Sequence, residues 1–151
     1  MWYITHNTNY DLHSMSVPFE PTVEDLEKYV GFVYVIIDTI TNMKYIGKKL
    51  LFSSKILPVT KTRKRRKKTL VESDWKSYYG SNKQLQEEVA LHGPERYKRI
   101  ILRLCTSKGE CSYYETKYQL EHDVLLRDDF YNDFVGCRIH SRHLKDMRTT
   151  T

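Results

Sequence analysis

The sequence predicts an α/β (α+β) domain: a small, mainly antiparallel sheet of three strands, flanked by helices. Three observations carry this. Phe32 to Ile37 and Met43 to Ile46 are short runs rich in β-branched and aromatic residues, and the turn formers Thr39, Thr41 and Asn42 separate them, which makes a β-hairpin. Tyr97 to Cys105, with Ile100, Ile101 and Leu102 at its centre, reads as a third strand. Ser81 with Gln84, and Ser107 with Glu110, have the spacing of capping boxes, so a helix is expected on either side of that strand.

The elements follow in order. Residues 1–30 form an N-terminal extension, partly ordered, in which Thr22 N-caps a short helix with Glu24 and Asp25 in its first turn. Residues 31–151 form the main domain. In the hairpin, Tyr34, Ile36 and Asp38 share one strand face and Val33, Val35 and Ile37 the other, which is the core face. Residues 53–73, or about that range, are a basic insertion without periodicity, expected to be a loop that is poorly ordered on its own. A helix then runs from about Asn82 to His92, ended by Gly93 and Pro94. After the third strand a longer helix opens at Ser107 and runs to about Leu126, followed by a basic tail with Arg138, Arg142 and Lys145.

Composition narrows the function classes. The chain has 151 residues, 40% hydrophobic and 29% charged, the profile of one globular domain rather than a disordered chain. No apolar run approaches the roughly 20 residues of a membrane span, and no basic-then-apolar stretch marks a signal peptide at the N-terminus. Three cysteines, Cys105, Cys111 and Cys137, are an odd and sparse set, which points to free thiols in a reducing cytoplasm. The net charge of +6 is concentrated. Residues 61–68, KTRKRRKK, hold seven of the 25 basic residues, and the remaining 18 face 19 acidic ones. A lone basic run in an otherwise neutral protein is the footprint of polyanion binding, or else a solvated loop.

The hairpin and three later stretches resemble the GIY-YIG endonuclease superfamily, and within it the SegE-like phage endonucleases. Phe32-Val33-Tyr34 fills the first tyrosine-bearing tripeptide, with Gly31 one place early, and Tyr45-Ile46-Gly47 matches the second. Ser81 to Gly93 is similar to the second-helix segment, Glu115-Thr116-Lys117-Tyr118 to the helix segment whose glutamate binds the metal, and Tyr131-Asn132 to the closing asparagine. The resemblance implies hydrolysis of DNA phosphodiester bonds, with Mg²⁺ (or Mn²⁺) held by Glu115 and duplex DNA as the partner, in a phage protein working in the bacterial cytoplasm.

Such chemistry needs a water nucleophile, a proton acceptor, a Lewis acid and cations for the charge that builds on phosphorus. One carboxylate cannot cage a naked ion, but it can anchor Mg²⁺ that keeps most of its waters. Tyr34 is then the general base or proton relay, its phenolate favoured by Lys44, Lys48 and Lys49, and Tyr45 orients the water. The helix arginine of the superfamily is missing, because Lys55 stands at the corresponding distance. Its role passes to Lys49, to Arg63, Arg65 or Arg66, or to Lys76. Lys48, Asn132 and Arg138 complete the DNA-binding set, and Tyr78 or Tyr79 stands in for a missing helical histidine. The alternatives are a catalytically inactive DNA-binding module and a nuclease directed at branched DNA or RNA. Cys137, His140 and His143, joined by Cys105 or Cys111, are a weaker candidate for a zinc site, with no C-x-x-C pair to support it.

Overall fold

The structure is a computed structural model, and it describes residues 1–5 and 16–147. In chain order the described elements are β1 (Trp2–Thr5), β2 (Ser16–Pro18), α1 (Val23–Lys28), β3 (Gly31–Asp38), β4 (Lys44–Leu50), β5 (Phe52–Leu57), β6 (Lys67–Glu72), α2 (Lys83–His92), β7 (Tyr97–Cys105) and α3 (Lys108–Glu121), with single 3₁₀ turns on either side of α2 and a longer 3₁₀ segment, Ser141–Met147, after α3.

The expected three-stranded sheet is the heart of a larger one. Five strands lie in the order β2-β1-β7-β3-β4, antiparallel except that β1 runs parallel to β7. The two additional strands come from the segment expected to be an N-terminal extension. Trp2, in β1, is buried and meets Phe32 and Tyr34 edge-on at ring-centroid distances of 4.9 and 5.4 Å. Residues 2–5 and 16–18 are thus built into the same sheet as β3, and Trp2 into the same core.

β3 lies between β7 and β4, and every one of its residues is buried. Phe32, Tyr34 and Ile36 pack with Trp2, Leu51, Trp75 and Leu85 on one side. Val33, Val35 and Ile37 pack with Ile46, Ile100, Cys111 and Val124 on the other. Both faces are core, not just the valine face, because the segment 75–85 covers the tyrosine side while α3 covers the valine side. The hairpin turn is set by Asp38. Its Oδ1 accepts the amide hydrogens of Ile40 and Thr41 at 2.9 and 3.3 Å, and Arg96 holds the carboxylate with two bonds of 2.8 Å. Asn42 takes the left-handed conformation, φ 63°, that its side chain tolerates.

The caps vary in how well they match. Thr22 caps α1 with a complete capping box closed by Asp25. Ser107 caps α3 by accepting the Glu110 amide, while the Glu110 carboxylate turns to Thr106. α2 is capped by Asn82, which accepts the Leu85 amide, and not by Ser81. α3 ends at Glu121, a turn short of Leu126, where the chain bends through Asp123 at φ 51°. The basic insertion is not a loop. β5 and β6 pair antiparallel as a separate two-stranded ribbon, with residues 58–66 as its tip.

Candidate active site

The sequence-predicted residues meet at the outer edge of β4. In an antiparallel pair alternate backbone groups point away from the partner strand, and here Lys44, Ile46 and Lys48 point outward. Each finds a partner elsewhere in the chain. The Lys44 amide donates to Asp129 O at 2.9 Å, and its carbonyl accepts from Tyr131 N at 2.7 Å. The Ile46 amide donates to Asn132 Oδ1 at 3.0 Å, and its carbonyl accepts from Asn132 Nδ2 at 2.9 Å and Gln119 Nε2 at 3.0 Å. The Lys48 amide donates to the Glu115 carboxylate. Glu115 thus lies next along the edge from the groups that Asn132 and Gln119 hold.

The tyrosines reach the same place from the opposite face. Tyr34 stands across from Gly47 in the register. A Cβ added to Gly47 would lie 2.6 Å from the Tyr34 hydroxyl oxygen and 2.9 Å from the Tyr45 ring. Glycine there is a steric requirement, for the two tyrosines close over it. Their ring centroids are 6.3 Å apart, and a third tyrosine, Tyr78, stands edge-on to Tyr34 at 6.1 Å. Tyr45 shares a 2.9 Å hydrogen bond with Ser81 Oγ. That bond occupies the serine expected to cap α2.

Burial drives the Tyr34 hydroxyl well above the ordinary phenol value, and Tyr78, Tyr45 and Glu115 all push the same way. Burial likewise raises Tyr45, partly offset by its bond to Ser81. Lysines that would favour a phenolate are turned to other work. Side chains alternate along a strand, so Lys48 and Lys49 lie on opposite faces. Lys48 Nζ bonds Ser112 Oγ at 2.6 Å and lies 3.9 Å from Glu115 Oε1 on the α3 side. Lys49 Nζ lies on the tyrosine side, 2.6 Å from Asp74 Oδ1 and 3.9 Å from the Tyr78 ring centroid. Lys44 is buried against Asp129. Burial also raises the Glu115 carboxyl above the usual range, opposed by the charge and the backbone amide of Lys48.

The donor set suits a lightly held hard cation. Glu115 is the carboxylate at this edge, with its side chain 18% exposed. Among the described residues no three His, Cys, Asp or Glu side chains come together. A lone carboxylate fits an ion that keeps most of its water. The absence of such a group also leaves the Cys137, His140 and His143 candidate without a ligand cluster.

The remaining sequence-predicted residues are dispersed. Arg65 and Arg66 are exposed at the ribbon tip, while Arg63 is folded into it, donating to Pro58 O at 2.6 Å. Lys76 is exposed beside Glu72 at 3.3 Å. Arg138 is exposed beside the start of α3, lining a cleft with Ser112. Asn132 is buried, and both ends of its amide are used on Ile46. These bonds make it a clamp that holds β4 beneath Tyr45.

Arg99 was not legible as a site residue. Its buried guanidinium lies between Trp2 and Tyr79, 4.6 and 4.1 Å from their ring centroids, and donates to Lys76 O and Tyr78 O at 3.0 and 2.9 Å. It fixes the segment that presents Tyr78. Its only sequence signal is a charged residue inside a strand pattern.

A tyrosine-bearing hairpin at a sheet edge, a glycine beneath the tyrosines and one helix glutamate across that edge define the GIY-YIG nuclease class. Residues 15–135, more than half of the chain, match the family model for the GIY-YIG domain of the segE endonuclease, and the chain belongs to that family. No curated protein and no solved structure matches the chain.

Proposed function

We propose that the chain is a divalent-metal-dependent endonuclease that hydrolyses DNA phosphodiester bonds, acting on duplex DNA in the bacterial cytoplasm, as the likeness to phage endonucleases implies. The observation that carries the proposal is the convergence at β4: the Tyr34 hydroxyl lies over Gly47, and Glu115 grips the next residue's amide from the other face.

Glu115 would hold the ion, Mg²⁺ or Mn²⁺, which when bound supplies Lewis acidity at a phosphate oxygen and acidifies a water. The chain's own groups do the rest. Tyr34 stays a neutral hydroxyl at neutral pH and relays the attacking water's proton through its contacts with Tyr78 and Tyr45 to bulk solvent. A relay suits its burial better than a standing phenolate. Tyr45, half-buried and anchored on Ser81, orients the attacking water. Lys49 is a cation on the tyrosine face, paired with Asp74, and takes the electrostatic part of the missing arginine, exchanging Asp74 for phosphate as DNA arrives. Lys48, Lys76, Arg65, Arg66 and Arg138 offer further phosphate contacts.

The test is nicking of supercoiled plasmid by the whole chain with Mg²⁺ and with chelator, beside a panel of linear duplex, branched DNA and RNA. Mg²⁺-dependent nicking that the chelator abolishes is expected. Binding without cleavage on every substrate would make the chain an inactive DNA-binding module.

A further inference from the structure

We infer that the β5–β6 ribbon is a groove-reading arm, which enters the major groove of duplex DNA and sets where the nuclease site falls. The inference rests on the reading of the chain as a DNA endonuclease and says what gives that site its register.

The ribbon is a separate sheet, and among its strand residues only Phe52, Leu57 and Thr69 are even half-buried. An isolated two-stranded ribbon is marginal in water, and it gains stability when a partner covers it. Between residues 53 and 71 there are eight Lys and Arg and no Asp or Glu. That charge argues against a second copy of the chain as the partner and for a polyanion.

Charge alone would suit a phosphate-binding loop, but the register shows more. Ile56 pairs with Lys68 and Ser54 with Leu70, and these four side chains share one face. Ile56 and Leu70 are 62% and 68% exposed, aliphatic groups standing in water beside a hydroxyl and an ammonium. The major groove, about 12 Å wide, admits a two-stranded ribbon and presents thymine methyls with hydrogen-bonding base edges. A mixed face of aliphatic, hydroxyl and lysine side chains matches that surface. Exposed aliphatic groups have no such match on a phosphate backbone.

The arm is tied to the active site. β4 runs into β5 through buried Leu51, whose amide donates to Val30 O at 2.9 Å. Ser73, at the return, donates its amide to Leu51 O at 2.8 Å and its hydroxyl to Leu50 O at 2.6 Å. Lys49 and its partner Asp74 sit beside this root. A six-residue strand extends roughly 20 Å, so the tip is held well away from the β4 edge. The tip keeps its own shape through Thr60 and Arg63, which exchange backbone bonds of 2.9 and 3.2 Å. Lys61, Lys64, Arg65 and Arg66 are exposed there to straddle the flanking phosphates.

The experiment uses the full chain carrying Glu115→Gln, so that DNA is bound but not cut, with a mixed-sequence 30-base-pair duplex as the probe. Binding is measured against KCl, with dimethyl sulfate protection read at guanine N7 in the major groove and adenine N3 in the minor groove. Two arm variants are added: Lys61, Lys64, Arg65 and Arg66 to Gln, and Ile56→Ser with Leu70→Ser. The glutamine variant should flatten the slope of log K against log salt by up to about 3.6, at about 0.9 per phosphate. The serine variant should keep that slope but lose N7 protection, and it should yield no consensus from a randomised duplex library where the parent yields one.

Salt slope and N7 protection unchanged in both variants would overturn the inference. So would a lowered slope with no N7 protection in the parent, which means phosphate contact alone, or arm-dependent self-association. If the chain with Glu115 intact fails to nick plasmid while the arm protects N7, the nuclease reading falls and the arm stands. If plasmid is nicked but the arm variants bind and select sequence as the parent does, the arm falls alone.

Discussion

The Tyr34 hydroxyl lies directly over the Gly47 α-carbon, where an added methyl group would come within 2.6 Å of it. The two residues are register partners across β3 and β4. Tyr34 cannot retreat, because Trp2, Phe32 and Tyr78 pack around its ring. Gly47→Ala should therefore displace the hydroxyl or open the hairpin. Overpacking of a filled site typically costs about 1–3 kcal/mol. We expect a loss of that size in urea unfolding, together with a loss of nicking that Mg²⁺ excess does not restore. An alanine variant with parental activity and stability would show that the tyrosine position is not constrained by this glycine.

Much of this arrangement was legible in the sequence, and the parts that were not have physical reasons. β3, β4 and β7 were legible because β-branched and aromatic residues cluster between turn formers. Thr22 and Ser107 announced their helices because each side chain meets the amide three residues on. β1 and β2, four and three residues long, are too short to show alternation. The ribbon was hidden because SSKIL and KKTLV mix aliphatic, hydroxyl and lysine on both faces, and a strand with no apolar side carries no period-two signal. Ser81 had the spacing of a cap, but Asn82 competes for the same amide, and Tyr45 draws the serine away. Tyr34, Tyr45 and Glu115 are named as site residues through resemblance to a family. Their meeting at the β4 edge depends on α3 crossing that edge, which no local pattern specifies. The Asn132 clamp on Ile46 is non-local in the same way.

Glu115→Gln tests the metal assignment. The amide keeps the side chain's shape and can still accept from the Lys48 amide, so thermal stability should stay within about 1 kcal/mol of the parent. Cleavage with Mg²⁺ should be abolished and DNA binding retained. Retained cleavage, or a variant that fails to fold, would make Glu115 a cap for the β4 edge and nothing more.

Tyr34→Phe removes one buried hydroxyl and keeps the ring. Loss of a proton relay should lower the rate of the chemical step by ~10²–10⁴-fold. The stability cost should be about 1 kcal/mol, the net worth of one hydrogen bond. Single-turnover cleavage isolates the chemical step. A drop below tenfold there would leave Tyr34 as a packing residue and move the relay to Tyr45.

Asp38 and Arg96 make the stability of the hairpin depend on acid. Burial alone would raise the Asp38 carboxyl, but the Arg96 guanidinium and the amides of Ile40 and Thr41 outweigh it and hold the carboxyl well below the usual carboxylate range. A carboxyl with a folded pKa below its unfolded value, near 3.9 for Asp, gives a contribution that is full above the unfolded value. That contribution is lost as pH falls toward the folded one. The parent should therefore begin to lose stability as pH falls below about 5, and lose it most steeply below the unfolded value near 3.9. Asp38→Asn removes this titration, leaves Arg96 without its counter-charge, and should cost about 3 kcal/mol at pH 7, the low end for breaking a buried pair. Its remaining stability should then fall less steeply over the same acid range. Urea unfolding of both proteins at several pH values measures the two slopes. Equal slopes would mean that other carboxylates carry the acid dependence and that Asp38 holds the turn by hydrogen bonds alone. Asp38 lies beyond the strand residues that carry the tyrosines, so its asparagine variant, where folded, should keep most of the nicking activity. That separates a weakened turn from a damaged site.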